Sequence, residues 1–86
     1  MLKALVSVTK SDIERGSRPS TRDCPVARAL RAAGFTDPAV GMRAFTYGDL
    51  GERVMGYLPE EATRFIAAYD FREPVEPLSF YVEYGE

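Results

Sequence analysis

The chain has no histidine, no tryptophan and a single cysteine, Cys24. Without histidine there is no imidazole base near neutral pH and no Ser-His-Asp or Cys-His nucleophile system. One cysteine excludes an intrachain disulfide, and with no histidine beside it there is no ligand set for a structural zinc site. A lone thiol in a small domain points to a reducing compartment rather than to a disulfide-stapled secreted scaffold. No apolar run approaches the roughly 20 residues of a membrane span. The first eight residues alternate like a strand and are too few for the apolar stretch of a signal peptide. These absences predict a cytoplasmic protein with no membrane attachment, no metal and no cofactor, and they argue against an enzyme.

What is present is the composition of a folded domain. The 86 residues are 45% hydrophobic and 12% aromatic, without low-complexity runs, which predicts one domain over 1–86. A chain this short buries only about 60–65% of its unfolded surface, so its core is modest and a homodimer is expected to add stability. Charge is unevenly spread. Residues 1–48 hold eight Lys/Arg against four Asp/Glu, and residues 49–86 hold three against nine, so the halves carry +4 and −6 within a net −2. Such asymmetry either marks an interaction surface or lets the halves attract each other in the fold.

Along the chain, Leu2, Ala4, Val6 and Val8 alternate with Lys3, Leu5 and Ser7, the pattern of a half-buried strand. Thr9-Lys10-Ser11-Asp12 has the form of a capping box, and Gly16 follows as a stop, predicting one helical turn over 10–15. Residues 16–23 hold turn formers and no apolar side chain, hence a loop. Pro25 opens a helix whose apolar positions are Val26, Ala27, Ala29, Leu30 and Ala33, with Arg28 and Arg31 pointing away; Gly34 closes it and Phe35 packs back beneath its end. Residues 39–47 read as one strand, with Val40, Met42 and Ala44 opposed to Gly41, Arg43, Phe45 and Tyr47. A loop over 48–51 leads to a second strand, 52–58, with Val54, Gly56 and Leu58 opposed to Arg53, Met55 and Tyr57. Pro59, Glu60 and Glu61 start a helix, and Ala62, Phe65, Ile66 and Tyr69 fall at i, i+3, i+4 and i+7. Pro74 and Pro77 precede a last strand, 78–84, in which Leu78, Phe80, Val82 and Tyr84 oppose Ser79, Tyr81 and Glu83. The expected class is α+β, with element order β-α-β-β-α-β and a four-stranded antiparallel sheet carrying two helices on one face.

Four candidate sites follow. If the helices cover the Val6/Met42/Val54/Val82 face, the other face presents Arg43, Phe45, Tyr47, Arg53, Met55, Tyr57 and Tyr81. Rings interleaved with arginine on a sheet suit a partner protein or a second copy, or can stack the bases of a single-stranded nucleic acid. The basic-Gly-aromatic-Gly/Ala-aromatic run of the RNA readers with this element order is missing, and the acidic balance weighs against nucleic acid. Arg15, Arg18 and Arg22 precede the Asp23-Cys24-Pro25 helix start, where they form a candidate anion site for a small nucleotide. Against this, Asp23 is a natural cap for the same N–H groups, and no phosphate-binding glycine motif accompanies the arginines. Cys24 beside Arg22 is positioned for a lowered thiol pKa, but with no base to serve it a buried or capping role is expected. The carboxylates Asp49, Glu52, Glu60, Glu61, Asp70, Glu73 and Glu76 occupy hairpin, helix-start and loop positions suited to solubility and capping.

Three stretches carry a family resemblance: residues 8–16 (Val-Thr-Lys-Ser-Asp-Ile-Glu-Arg-Gly), residues 24–30 (Cys-Pro-Val-Ala-Arg-Ala-Leu), and Leu58-Pro59-Glu60-Glu61-Ala62 running through Phe65–Asp70 to residues 74–80. They are similar to a family of small uncharacterised proteins of phages and bacterial genomes. The similarity covers most of the chain, with 39–57 the least similar part. It brings no activity and no site residues with it. It implies a phage or mobile-element origin, and small phage proteins of this kind act on the host by binding, for example as inhibitors of defence or transcription. The expected function is therefore a non-enzymatic binding protein acting on a host protein or a small nucleotide, with a single-stranded nucleic-acid module as the alternative.

Overall fold

Two seven-residue strands of strict alternation tie the beginning of the chain to its end. In the computed structural model, which describes residues 1–18, 20–49 and 51–85, β1 (Leu2–Val8) pairs antiparallel with the last strand, β5 (Leu78–Tyr84), along its whole length. The remaining strands are β2 (Ala39–Val40), β3 (Ala44–Tyr47) and β4 (Val54–Tyr57), and the sheet order is β1-β5-β4-β3-β2, antiparallel throughout. Pro19 of the predicted 16–23 loop, Leu50 of the predicted 48–51 loop and the terminal Glu86 lie outside the described residues.

Three helices accompany the sheet. In α1 (Lys10–Arg15) the Asp12 N–H donates to Thr9 Oγ1 (3.2 Å) and the Thr9 N–H donates to Asp12 Oδ2 (3.0 Å), completing the expected capping box. Helix α2 (Pro25–Ala32) has Pro at its first position and ends in a Schellman motif. Gly34 takes a φ of +105°, its N–H donates to the Arg31 carbonyl (3.0 Å), and the Phe35 N–H donates to the Leu30 carbonyl (3.0 Å). Helix α3 (Glu60–Asp70) buries Ala62, Phe65, Ile66 and Tyr69, the four positions its periodicity selects. The buried faces of α2 and α3 share one apolar cluster with Val6, Val8, Val40, Phe45, Phe80 and Val82, and among the described residues no polar or charged side chain is buried in it.

The sheet has five strands, where the sequence reading has four, because residues 39–47 are a hairpin and not one strand. The chain turns at Gly41–Arg43, the Gly41 N–H donates to the Ala44 carbonyl (2.8 Å), and Val40 comes to lie opposite Phe45. Directly opposed residues share a sheet face. The turn therefore carries Phe45 to the same side as Val40, inverting the alternation expected for a continuous strand. Met42 sits in the turn and is 56% exposed, and Val54 near the strand end is 41% exposed, so neither joins Val6 and Val82 in the core.

The inverted phase places Phe45 over a glycine. Gly56 is its direct partner across the β3–β4 pair, and a β-carbon at Gly56 would clash with the outer edge of the Phe45 ring. Phe35 meets Phe45 edge-on at a centroid distance of 5.2 Å and meets Tyr47 and Tyr84 at 4.8 and 5.0 Å, also edge-on. Such pairs add about 0.5–1.5 kcal/mol each beyond area burial. A second junction joins the helices: Tyr69 of α3 donates its hydroxyl hydrogen to the Gly16 carbonyl (2.9 Å), and a β-carbon at Gly16 would crowd Pro25 at 2.7 Å.

We predict that Gly56→Ala destabilises the fold by about 3 kcal/mol, at the upper end of overpacking costs, because the Phe45 ring that must give way is buried and packed against Phe35 and Tyr47. Chemical denaturation measures this; a change below about 0.5 kcal/mol would contradict the Phe45–Gly56 contact.

Candidate binding face of the sheet

With all the buried strand positions on the helical side, alternation leaves the opposite face bare. From β1 it presents Lys3, Leu5 and Ser7, from β5 Ser79, Tyr81 and Glu83, from β4 Met55 and Tyr57, and from β3 Ala44 and Thr46. Register sets these side chains beside one another: Leu5 opposes Tyr81, Lys3 opposes Glu83, and Glu83 opposes Tyr57, which opposes Ala44. The Ser7 and Ser79 hydroxyls meet at 2.8 Å. Tyr81, Leu5, Met55 and Tyr57 are 62%, 52%, 50% and 47% exposed, an unusual density of large apolar side chains for one sheet face. Between the two tyrosines lies a shallow cleft of about 180 Å³, lined also by Lys3, Leu58, Pro59 and Glu83.

Of the residues the sequence reading assigned to this face, Met55, Tyr57 and Tyr81 are there, Arg53 lies at its margin against the Thr46 hydroxyl, and Phe45, Tyr47 and Arg43 are elsewhere. Phe45 is buried in the core, and Tyr47 is half-buried beside it, where desolvation raises its phenol pKa. Both belong to the aromatic cluster on the helical side, moved there by the Gly41–Arg43 turn. Arg43 lies in that turn and lines a separate cleft of about 390 Å³ with Leu58, Glu60 and Thr63 at the start of α3. Arg53 is committed to the fold. Its guanidinium donates to Asp37 Oδ2 (3.1 Å), to the Asp37 carbonyl (2.7 Å), to the Gly48 carbonyl (2.8 Å) and to Thr46 (3.1 Å to both its carbonyl and hydroxyl oxygens). Leu5, Lys3 and Glu83 were missing from the sequence assignment. Their alternation was visible, but nothing in the sequence told that the first and last strands are neighbours.

Two of the three arginines of the candidate anion site are engaged by separate partners within the fold. Arg18 donates through Nε to the Tyr69 carbonyl (2.7 Å) and lies 4.2 Å from the centre of the Tyr69 ring. Arg22 pairs with Asp37 at 2.8 Å, and this hydrogen bond, with Arg53 nearby, holds the Asp37 carboxyl below its ordinary range. Arg15 ends α1, where a basic side chain suits the negative pole of the helix. Arg28 does not point away from the fold as its spacing predicts. It is half-buried, with Asp12 at 3.8 Å and Asp23 at 3.4 Å. Of the six ion pairs among the described residues, only Arg53–Asp37 joins the basic and acidic halves, so their attraction explains little of the charge asymmetry.

Asp23 does not cap α2. Cys24 does, its Sγ accepting the Ala27 N–H at 3.4 Å, while Asp23 accepts from the Ser17 hydroxyl (3.0 Å), from Arg28 (3.4 Å) and from Arg31 (3.3 Å). The Ser17 bond leads the causes that lower the Asp23 pKa. Cys24 is buried, and loss of solvent pushes its thiol above the ordinary value; the helix N–H groups offset this only in part. Its side of the molecule has a cavity of about 260 Å³, lined by Cys24, Val40, Met42 and Ile66 among others, with Asp70 at the rim, whose charge raises the thiol pKa further. Cys24 is therefore the buried, capping cysteine expected of it, and its burial rules against the alternative of a lowered pKa. Among the described residues no three Cys, Asp or Glu side chains are gathered as a metal would require, and no helix is long and apolar enough to cross a membrane.

Comparison with known proteins adds no family to this geometry: no family model, no curated protein and no solved structure matches the chain.

Cys24 is expected to react with a maleimide in the folded protein at least ten-fold more slowly than in denaturant, at pH 7. Equal rates in the two states would contradict its burial and raised pKa.

Proposed function

We propose that the chain is a non-enzymatic binding protein that docks a partner protein on the helix-free face of its sheet. One observation carries this reading: Leu5, Tyr81, Tyr57 and Met55, all large and all about half exposed or more, occupy the face that no helix covers. Large aromatics and methionine are the residue types enriched at the buried centres of protein interfaces. The face offers two charges beside them, Lys3 and Glu83, set opposite each other in register. That balance suits a flat, apolar partner surface with a few polar groups around it. It does not suit a polyanion, which draws its affinity from several cations tracking phosphates. Arg53, one of the two arginines the sequence reading placed on this face, is held by five acceptors within the fold. In the phage or mobile-element setting implied by the sequence resemblance, the partner is a host protein and the consequence of binding is inhibition.

Tyr57→Ala combined with Tyr81→Ala removes the two rings without touching the core. Phe45 cannot serve as a probe, because its truncation would report on folding. Wild-type and doubly substituted baits are compared in bacterial lysate by quantitative mass spectrometry, and affinity is then measured with the purified partner. The expected loss is roughly 30-fold or more, corresponding to about 2 kcal/mol. A partner retained equally by both baits contradicts the assignment of the face. So does binding to short single-stranded oligonucleotides that weakens steeply with salt in place of protein binding.

A further inference from the structure

The two edges of the sheet are built differently. At one edge, β2 is only two residues long, and its outward N–H at Val40 is taken by the Thr21 carbonyl at 2.7 Å. At the other edge, β1 runs for seven residues in unbroken register with β5, without proline, glycine or bulge. Among the described residues, no group outside β5 hydrogen-bonds to its backbone. Alternate residues of β1 therefore point N–H and C=O groups outward along an edge without a bulge. Its one charge, Lys3, faces Glu83 on the neighbouring strand. Natural edge strands are normally shortened, bulged, covered or heavily charged to prevent pairing with another chain. The β2 edge is protected in this way, and among the described residues the β1 edge shows none of these devices apart from Lys3.

We propose that β1 is a dimerisation edge, pairing antiparallel with β1 of a second copy about a two-fold axis to make one continuous ten-stranded sheet. The sequence of β1 fixes the register. Opposed residues share a face, so odd-numbered positions must meet odd-numbered ones and even must meet even. Full overlap of the seven residues then puts Leu5 opposite Leu5 of the second copy, with Lys3 opposite Ser7, Ala4 opposite Val6 and Leu2 opposite Val8. This arrangement works whichever alternate set of amides points outward, because each set then pairs with itself across the axis. It sets no like charges face to face; the two Lys3 residues lie about 14 Å apart along the junction. The exposed row Tyr81–Leu5 continues into Leu5–Tyr81 of the second copy, giving four apolar side chains in line across the seam. The second copy is favoured over an unrelated strand because β1 complements itself in side-chain size, charge and face. This pairing does not depend on which partner the open face takes, though it doubles that face.

Sedimentation equilibrium at tens of micromolar is expected to give twice the 9.6 kDa chain mass. Leu5 is half exposed, so Leu5→Lys leaves the core intact while placing two ammonium groups against each other at the axis. The variant should sediment as a monomer with an unchanged circular dichroism spectrum. A second measurement reads the register independently of any folding defect. In a Cys24→Ser background, Leu5→Cys should form an interchain disulfide on mild oxidation, while Ser7→Cys should not, since its two thiols lie on Cα atoms about 14 Å apart and a disulfide spans no more than about 7 Å. A wild-type monomer at these concentrations overturns the proposal. So does a dimer that survives Leu5→Lys, equal cross-linking by Leu5→Cys and Ser7→Cys, or an open-ended series of oligomers.

Discussion

Phe45 lies across Gly56, and much of the molecule is arranged around that contact. With no side chain at Gly56, the ring can press onto the β4 backbone, and it is only 1% exposed. The contact fixes which face of β3 and β4 turns inward. It thereby fixes that Met55 and Tyr57, the neighbours of Gly56 on either side, turn outward. Phe35 then joins the α2 terminus to the sheet, because its N–H closes the Schellman motif while its ring packs edge-on against Phe45, Tyr47 and Tyr84. One small residue in a strand thus couples a helix end, three strands and the chemistry of the opposite face. The fit of ring to glycine is intolerant of added volume because interiors are close-packed.

Much of this architecture was legible in the sequence, and the failures have physical causes. The alternation of 2–8 and 78–84, the Thr9/Asp12 capping box, Pro25 and Gly34 at the ends of α2 and the spacing of Ala62, Phe65, Ile66 and Tyr69 each report a local constraint, and each appears in the structure. The error at 39–47 arose because alternation has no marker for a reversal. A strand that turns on three residues still reads as alternating apolar and polar positions, and Gly41-Met42-Arg43 lacks the Asn-Gly or Asp-Gly signal of a tight hairpin. That one missed turn shifted Phe45 and Tyr47 to the wrong face and with them half of the aromatic character assigned there. Asp23 failed differently. Its side chain satisfies the rule for a helix cap, but Ser17, Arg28 and Arg31 offer it charged and hydroxyl donors, leaving the cap to Cys24.

The corrected face is less basic and more apolar than the sequence suggested, which moves the functional reading toward protein and away from nucleic acid. Arg53, Arg18 and Arg22 are engaged by Asp37, Tyr69 and backbone carbonyls, so these arginines support loops around the core. Pairing of β1 across a two-fold axis would join two such faces into one surface, with the Leu5 and Tyr81 row at its centre. A small core that gains stability by association and a binding face enlarged by the same event are consistent aims for a chain of this size.

Concentration-dependent amide hydrogen exchange along Leu2–Val8 tests the central claim most directly, since it reads the unpaired edge itself. In a monomer only the amides directed at β5 are protected, and their alternate neighbours exchange freely. The account predicts that these neighbours slow as concentration rises, most strongly around Leu5. Free exchange of that alternate set at every concentration would contradict it.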